Sequence, residues 1–269
     1  MTALTQLFAR TRDEGRAALI GYLPAGFPTV PGAIDAMHAM VEGGVDAIEV
    51  GLPYSDPLLD GPTIQEAVDR ALQSGATTPD VLATVRAVAA TGVPTMVMSY
   101  WNPIEKFGVA SFARQLSEAG GSGVITADIT PEEAGEWLEA SRAEKLDRIF
   151  LVAPSSTDER IALTTSAGSG FVYAAAVMGV TGARTQVAPA ARELVDRTRA
   201  ATSLPICVGL GVSTGRQAAE IAEFADGVIV GSAFVRALLD AGSASEGLEQ
   251  VRALARELRD GVAEGSSPR

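Results

Sequence analysis

A (β/α)8 TIM barrel with one extra N-terminal helix is the fold this sequence predicts, and three observations carry it. Eight short runs with strand character recur along the chain, each followed by a stretch of helical spacing. The runs are apolar enough to be covered on both faces, as parallel strands are. The alternation also fills about 250 residues, the length such a barrel needs. A doubly wound open sheet would show the same beat and is the alternative.

Residues 2 to 14 form a helix ahead of the first strand, Ala17 to Leu23, which ends in the loop Pro24-Ala25-Gly26-Phe27-Pro28. Ile34, Met37 and Val41 share a stripe and mark a helix over Ile34 to Val41. Strand two is Ala47 to Val50; helices follow at Pro62 to Gln73 and Pro79 to Ala90, each with proline at its first turn. Thr95 to Ser99 is strand three and Phe107 to Ala119 its helix; Gly123 to Thr126 is strand four and Pro131 to Arg142 its helix. Strand five is Arg148 to Val152, with a helix at Asp158 to Ala167, and strand six is Gly170 to Ala174, with a helix at Val187 to Ala200. Leu204 to Val208 is strand seven, Thr214 to Phe224 its helix, Gly227 to Val230 strand eight, and a helix opens near Ser232. Leu248, Val251, Ala255, Leu258 and Val262 recur at helical spacing and close the barrel wall, while residues 265 to 269 form a frayed tail.

The 269 residues are 47% hydrophobic without a long polar tract, which predicts one domain over 1 to 269. No apolar run approaches the roughly 20 residues of a membrane helix, and the start of the chain lacks the charged and apolar regions of a signal. The single cysteine, Cys207, agrees with a reducing compartment, so a cytoplasmic location is expected. A net charge of −12 argues against nucleic acid or an anionic membrane as partner. His38 is the only histidine and Lys106 and Lys145 are the only lysines, which removes whole mechanisms. A zinc centre would need several His or Cys ligands, so no metal site is expected. His38 lies in a helical stretch, as a packing residue would. Lys145 falls between a helix and the next strand, the wrong end for barrel chemistry, and Lys106 sits in a loop beside Glu105, so a Schiff base is disfavoured. Carboxylates remain.

The stretch Asp46 to Glu66 concentrates them. In strand two, Ile48 and Val50 share one face and Ala47 and Glu49 the other, which puts a carboxylate near the exit of a strand that should be buried on both faces. Burying an ionised carboxylate without a partner costs several kcal/mol, so Glu49 is either half of a buried ion pair or a functional acid. The chain then breaks at Gly51 and Pro53, passes Tyr54-Ser55-Asp56-Pro57, and reaches Asp60 before Gly61-Pro62 opens a helix. Asp60 also suits a helix N-cap, and Asp56 suits plain turn chemistry. The mouth of the barrel would further collect Tyr100-Trp101-Asn102-Pro103, Asp128 and Tyr173.

Glycines crowd the loops after strands six to eight: Gly179-Val180-Thr181-Gly182, Gly209-Leu210-Gly211-Val212-Ser213 and Gly231-Ser232. Backbone amides there, with the helix opening near Ser232, suit a phosphate group without any Lys or Arg. The spacing GxGxxxG after strand seven differs from a dinucleotide-binding turn, and tight turns alone would also explain the glycines.

These residues resemble the α subunit family of tryptophan synthase nearly end to end. The family's strand-two Glu and its P-[FY]-S-D-P-x-x-D-G-P loop stand here as Glu49 and Pro53 to Pro62; LFAR, Gly21-Tyr22, Asn102-Pro103, FLVAPSSTDER, GVTGAR and Gly231-Ser232 extend the likeness. The sequence departs from the family at Leu59, usually Ala, and carries Pro131 one place late. The resemblance implies cleavage of indole-3-glycerol phosphate to indole and glyceraldehyde 3-phosphate, with Glu49 as general acid and base and Asp60 holding the indole N–H. It implies an indole pocket lined by Tyr22 and Tyr173, a phosphate site at Gly182, Gly211, Gly231 and Ser232, and Thr181 closing over Asp60. It also implies no cofactor in this subunit, and docking through Asp56 and Pro57 onto a pyridoxal-phosphate β subunit in an αββα heterotetramer. A free-standing lyase, another phosphorylated-metabolite isomerase and a non-catalytic activating subunit are the remaining readings.

Overall fold

The computed structural model describes residues 1–176 and 187–265. Eight parallel strands close into a barrel in sequence order: β1 (Ala18–Pro24), β2 (Ala47–Gly51), β3 (Thr95–Ser99), β4 (Gly123–Thr126), β5 (Asp147–Val152), β6 (Val172–Ala175), β7 (Ile206–Gly209) and β8 (Gly227–Val230). Closure is explicit in the pairing, because Ile20 of β1 sits opposite Ala47 on one side and Ile229 on the other.

Strand periodicity divides the core in two. Ala18, Ile20, Ala47, Met96, Ile125, Ile149, Cys207 and Ile229 fill the barrel interior, while Leu19, Ile48, Val50, Val97, Val124 and Val208 point outward against the helices. The extra helix α1 (Ala3–Asp13) plugs the N-terminal end with Leu4, Leu7 and Phe8, and the Phe8 and Phe171 rings meet edge-on at 5.8 Å. At the same end Asp46 accepts both Arg16 guanidinium nitrogens, at 2.7 and 2.8 Å, and the Leu19 amide at 2.9 Å, which ties β2 to β1.

The outer layer is α2 (Val30–Glu42), α3 (Pro62–Gln73), α4 (Thr78–Ala89), α5 (Trp101–Phe107), α6 (Val109–Glu118), α7 (Gly135–Ala143), α8 (Asp158–Ala167), α9 (Val187–Ala201), α10 (Gly215–Ala222), α11 (Ser232–Asp240) and α12 (Ala244–Gly265). Thr29, Thr157 and Thr214 cap α2, α8 and α10 through their side chains, and Thr77 with Asp80 forms a capping box on α4. The last helix, α12, approaches α10 closely, because a Cβ on Gly261 would overlap the Gly215 carbonyl.

Several boundaries differ from the sequence expectation, among them the start of α2 at Val30, four residues before Ile34, and of β7 at Ile206, two after Leu204. The helix after β4 begins at Gly135 and not at Pro131, because Thr130 to Glu133 closes a turn of its own, with Glu133 N–H donating to the Thr130 carbonyl and the Thr130 hydroxyl to the Glu133 carboxylate. The segment Trp101 to Phe107, expected as a loop carrying Lys106, forms a helix of its own, α5, and the helix expected from Phe107 begins only at Val109, because Gly108 at φ +94° breaks the helical path between them. Strand β6 starts at Val172, two residues late, because Gly170 sits at φ +80°. Of the expected tail, Gly265 ends α12 and residues 266–269 lie outside the described residues.

Candidate active site

The C-terminal ends of the strands build a cup floored by Tyr22, Glu49 and Tyr173. Tyr22 of β1 lies opposite Glu49 of β2, which in turn faces Met96 of β3. Glu49 is 0% exposed, and neither carboxylate oxygen has a hydrogen-bond partner among the described residues. The ion-pair reading of Glu49 is therefore not realised there. Burial pushes its carboxyl up from the ordinary range to about 8, so at neutral pH the acid is largely protonated. An acid with that property inside a cleft has the character of a general acid.

Two glycines shape the neighbouring tyrosines. A Cβ at Gly51 would overlap the Tyr22 hydroxyl, and one at Gly209 would overlap that of Tyr173. On its other side the Tyr22 ring packs at Gly231, where a Cβ would stand 3.0 Å from Cδ1. Both phenols are held well above their usual pKa, first by desolvation and then by the nearby Asp60 and Glu49 carboxylates, which keeps them neutral donors.

Asp60 is not a helix cap. The N-cap of α3 is Gly61, without a side-chain bond, and Asp60 Oδ1 instead accepts the Tyr100 hydroxyl at 3.0 Å. The Leu59 amide donates to the same phenol oxygen at 2.9 Å. The Tyr100 ring stands 5.4 Å from that of Tyr54, whose hydroxyl accepts Asn102 Nδ2 at 3.0 Å. Burial raises Asp60 above its ordinary pKa, and the Tyr100 bond pulls the other way.

The rest of the loop turns outward. The Ser55 hydroxyl donates to Asp56 Oδ2 at 2.5 Å, and Leu58 and Leu59 are 74% and 46% exposed instead of folding back onto the barrel. Beside the loop lies a groove of about 420 Å³ lined by Leu52, Tyr54, Leu72, Asn102, Lys106 and Phe107 among others. Asp128 is at the mouth as expected, where its Oδ1 accepts the Trp101 amide at 2.7 Å and so serves the start of α5.

At the glycine-rich side, Gly211 adopts φ +70° with open space around it, and Gly231 precedes Ser232, the first residue of α11. Thr181, Gly182 and the rest of GVTGAR lie outside the described residues. His38 packs between helices, with Nε2 3.3 Å from the Ala87 carbonyl, and Cys207 is fully buried in the barrel. Lys145 sits exposed just before β5, at the end away from the cup. Among the described residues no cluster of three His, Cys, Asp or Glu could hold a metal ion, and no helix is long and apolar enough to cross a membrane.

Sequence reasoning placed Tyr100 at the mouth without a role and read Tyr54 as part of an outward-facing loop, whereas its ring packs on Tyr100 and its hydroxyl accepts Asn102. The adjacency of β2 and β3 was the usable signal, since it sets the residue after β3 beside the loop after β2.

The model of the tryptophan synthase alpha chain family matches residues 8–263. Similar relatives include the tryptophan synthase alpha chains of Thermobifida fusca, 61% identical with 97% of this chain and 98% of the relative covered, and of Salinispora arenicola, 59% identical with 97% and 98% covered. A structure of Mycobacterium tuberculosis tryptophan synthase superposes with a TM-score of 0.90 at 56% identity, covering 96% of this chain and 97% of that one. The alpha subunit from Legionella pneumophila superposes at 0.89 with 34% identity, covering 97% and 98%. On a match of this extent the chain belongs to the tryptophan synthase alpha chain family, lyases that cleave indole-3-glycerol phosphate to indole and glyceraldehyde 3-phosphate.

Proposed function

We propose that Glu49 and Asp60 carry this cleavage, and the observation behind the proposal is a fully buried Glu49 with no partner on either oxygen among the described residues. Protonated Glu49 delivers its proton to indole C3, which leaves a cationic indolenine whose N–H is held by ionised Asp60. The Glu49 carboxylate then takes the proton of the C3′ hydroxyl. The C3–C3′ bond breaks, its electron pair returns to the indole ring, and the C3′ oxygen becomes the aldehyde carbonyl. Glu49 ends protonated as it began. General acid-base help of this kind contributes roughly 10²- to 10⁴-fold, and an anion beside the developing cation adds to it.

Tyr22 and Tyr173 line the indole pocket, while Gly231 and Ser232 at the start of α11 bind the phosphate through backbone amides, together with Gly211 in the loop after β7 and Gly182. Thr181 belongs to the segment that closes over Asp60. The subunit works without a cofactor and docks through Asp56 and Pro57 onto a β subunit that holds pyridoxal phosphate and receives the indole, in an αββα heterotetramer. Support for that face comes from Leu58 and Leu59, which stand in solvent beside the groove at Tyr54 and Asn102. A lone buried Cys207 suits a cytoplasmic setting.

The test is indole release from indole-3-glycerol phosphate by the purified chain and by Asp60→Asn. The variant should lose most turnover yet keep its inhibition by glycerol phosphate. Intact turnover with lost substrate affinity would make Asp60 a binding residue only.

A further inference from the structure

We propose that Tyr100, backed by Tyr54, is a positioning residue that fixes which oxygen of Asp60 faces the substrate and keeps that carboxylate ionised. This rests on the reading of Asp60 as the partner of the indole N–H. Two contacts support it. The Tyr100 hydroxyl donates to Asp60 Oδ1 at 3.0 Å, so that oxygen is occupied and Oδ2 is left for the ligand. The same hydroxyl accepts the Leu59 amide at 2.9 Å, which holds the backbone immediately before Asp60. One phenol thus grips the acid and its own peptide link, and both grips rotate together if the ring turns.

The ring is itself held. Tyr54, at the other end of the same loop, packs on it at 5.4 Å with a tilt of 38°, and Asn102 from the start of α5 donates to the Tyr54 hydroxyl at 3.0 Å. Tyr100 is 5% exposed, although it follows a strand end, where exposure would be ordinary. Past its exposed leucines the loop is also held by the Gln65 side-chain amide, which donates to the Asp60 carbonyl at 2.7 Å.

A donated hydrogen bond favours the charged form of a carboxylate, while burial opposes it. Both act on Asp60. The groups facing it are Tyr22, from β1, and Tyr100, with Glu49 and Tyr173 across the cup, and no basic side chain among the described residues offsets the burial. Among the described residues Tyr100 is therefore the neighbour whose hydrogen bond favours ionised Asp60, and removing its hydroxyl moves the Asp60 titration to higher pH.

The experiment compares wild type, Tyr100→Phe, Asp60→Asn and the double variant for indole release across pH, with folding followed by thermal melting. Phenylalanine keeps the ring against Tyr54, so Tyr100→Phe isolates the hydroxyl. It should lower kcat/KM about tenfold, the size of one hydrogen bond to a charged group, and shift the acid limb upward while the alkaline limb stays. Inhibition by glycerol phosphate should not change. The double variant should be no slower than Asp60→Asn, because a residue acting only through Asp60 has nothing left to position. If Asp60→Asn is inactive while Tyr100→Phe keeps the wild-type acid limb and rate, the positioning role is overturned and the reading of Asp60 stands. A double variant slower than Asp60→Asn also overturns it. Full activity in Asp60→Asn would instead remove the reading of Asp60 and the role of Tyr100 with it.

Discussion

Glu49 shows how one buried residue links chemistry to stability. Its carboxyl titrates at about 8 in the folded chain, above the ordinary value near 4.5, because burial penalises the charged form. Below about pH 4.5 the group is protonated in both states and has no effect. Between there and about 8 the unfolded chain releases the proton while the folded one retains it, so the stability contributed by Glu49 falls as pH rises, then levels off. Glu49→Gln removes that penalty. It should melt at or above wild type at pH 9, by on the order of a few kcal/mol, with the gap closing by pH 5 in thermal melts. A gap independent of pH would mean that Glu49 is ionised in the fold. Gly51 offers a second residue-scale test, because any Cβ there meets the Tyr22 hydroxyl. Gly51→Ala should raise KM and lower kcat while the chain still folds, and unchanged kinetics would show that the tyrosine's place does not matter.

At the scale of elements, the loop from Tyr54 to Asp60 has an anchored side and a free side. Tyr54, Leu59 N–H and Asp60 are tied to Tyr100, whereas the Leu58 and Leu59 side chains face solvent. Leu58→Ser should therefore change stability by less than about 0.5 kcal/mol, yet weaken stimulation of lyase turnover by a β subunit in a titration. Stimulation of full size would move the partner contact elsewhere. The contact of α10 with α12 predicts the opposite profile: Gly261→Ala forces a methyl group onto the Gly215 carbonyl and should cost about 1–3 kcal/mol in denaturant melts without altering KM. Helix starts were the least legible elements. Pro131 reads as a first helical residue from its type alone, and only the Thr130–Glu133 turn shows that it is not.

For the whole molecule, the barrel was legible because its periods are local: alternation along β2 sends Glu49 inward and Ile48 and Val50 outward, as the two core clusters separate them. Closure was an inference from the count of strands, and the pairing of β1 with β8 supplies it. Contacts between distant segments were not legible. Tyr100 and Asp60 are 40 residues apart, and nothing in either stretch announces that a phenol will occupy one carboxylate oxygen. Separation along the chain also hid the dependence of Tyr22 and Tyr173 on Gly51 and Gly209, which appear in the sequence only as a break and a turn.

The central claim is that a buried, protonated Glu49 starts the cleavage, and the pH dependence of indole release tests it most directly. For the wild-type chain, kcat/KM should fall on the alkaline side through about pH 8, where Glu49 loses its proton, and on the acid side as Asp60 gains one. Glu49→Gln should be at least about a hundredfold slower at every pH, the lower end of what acid-base catalysis contributes. A variant with more than about a tenth of wild-type turnover, with the alkaline limb still in place, would contradict the account.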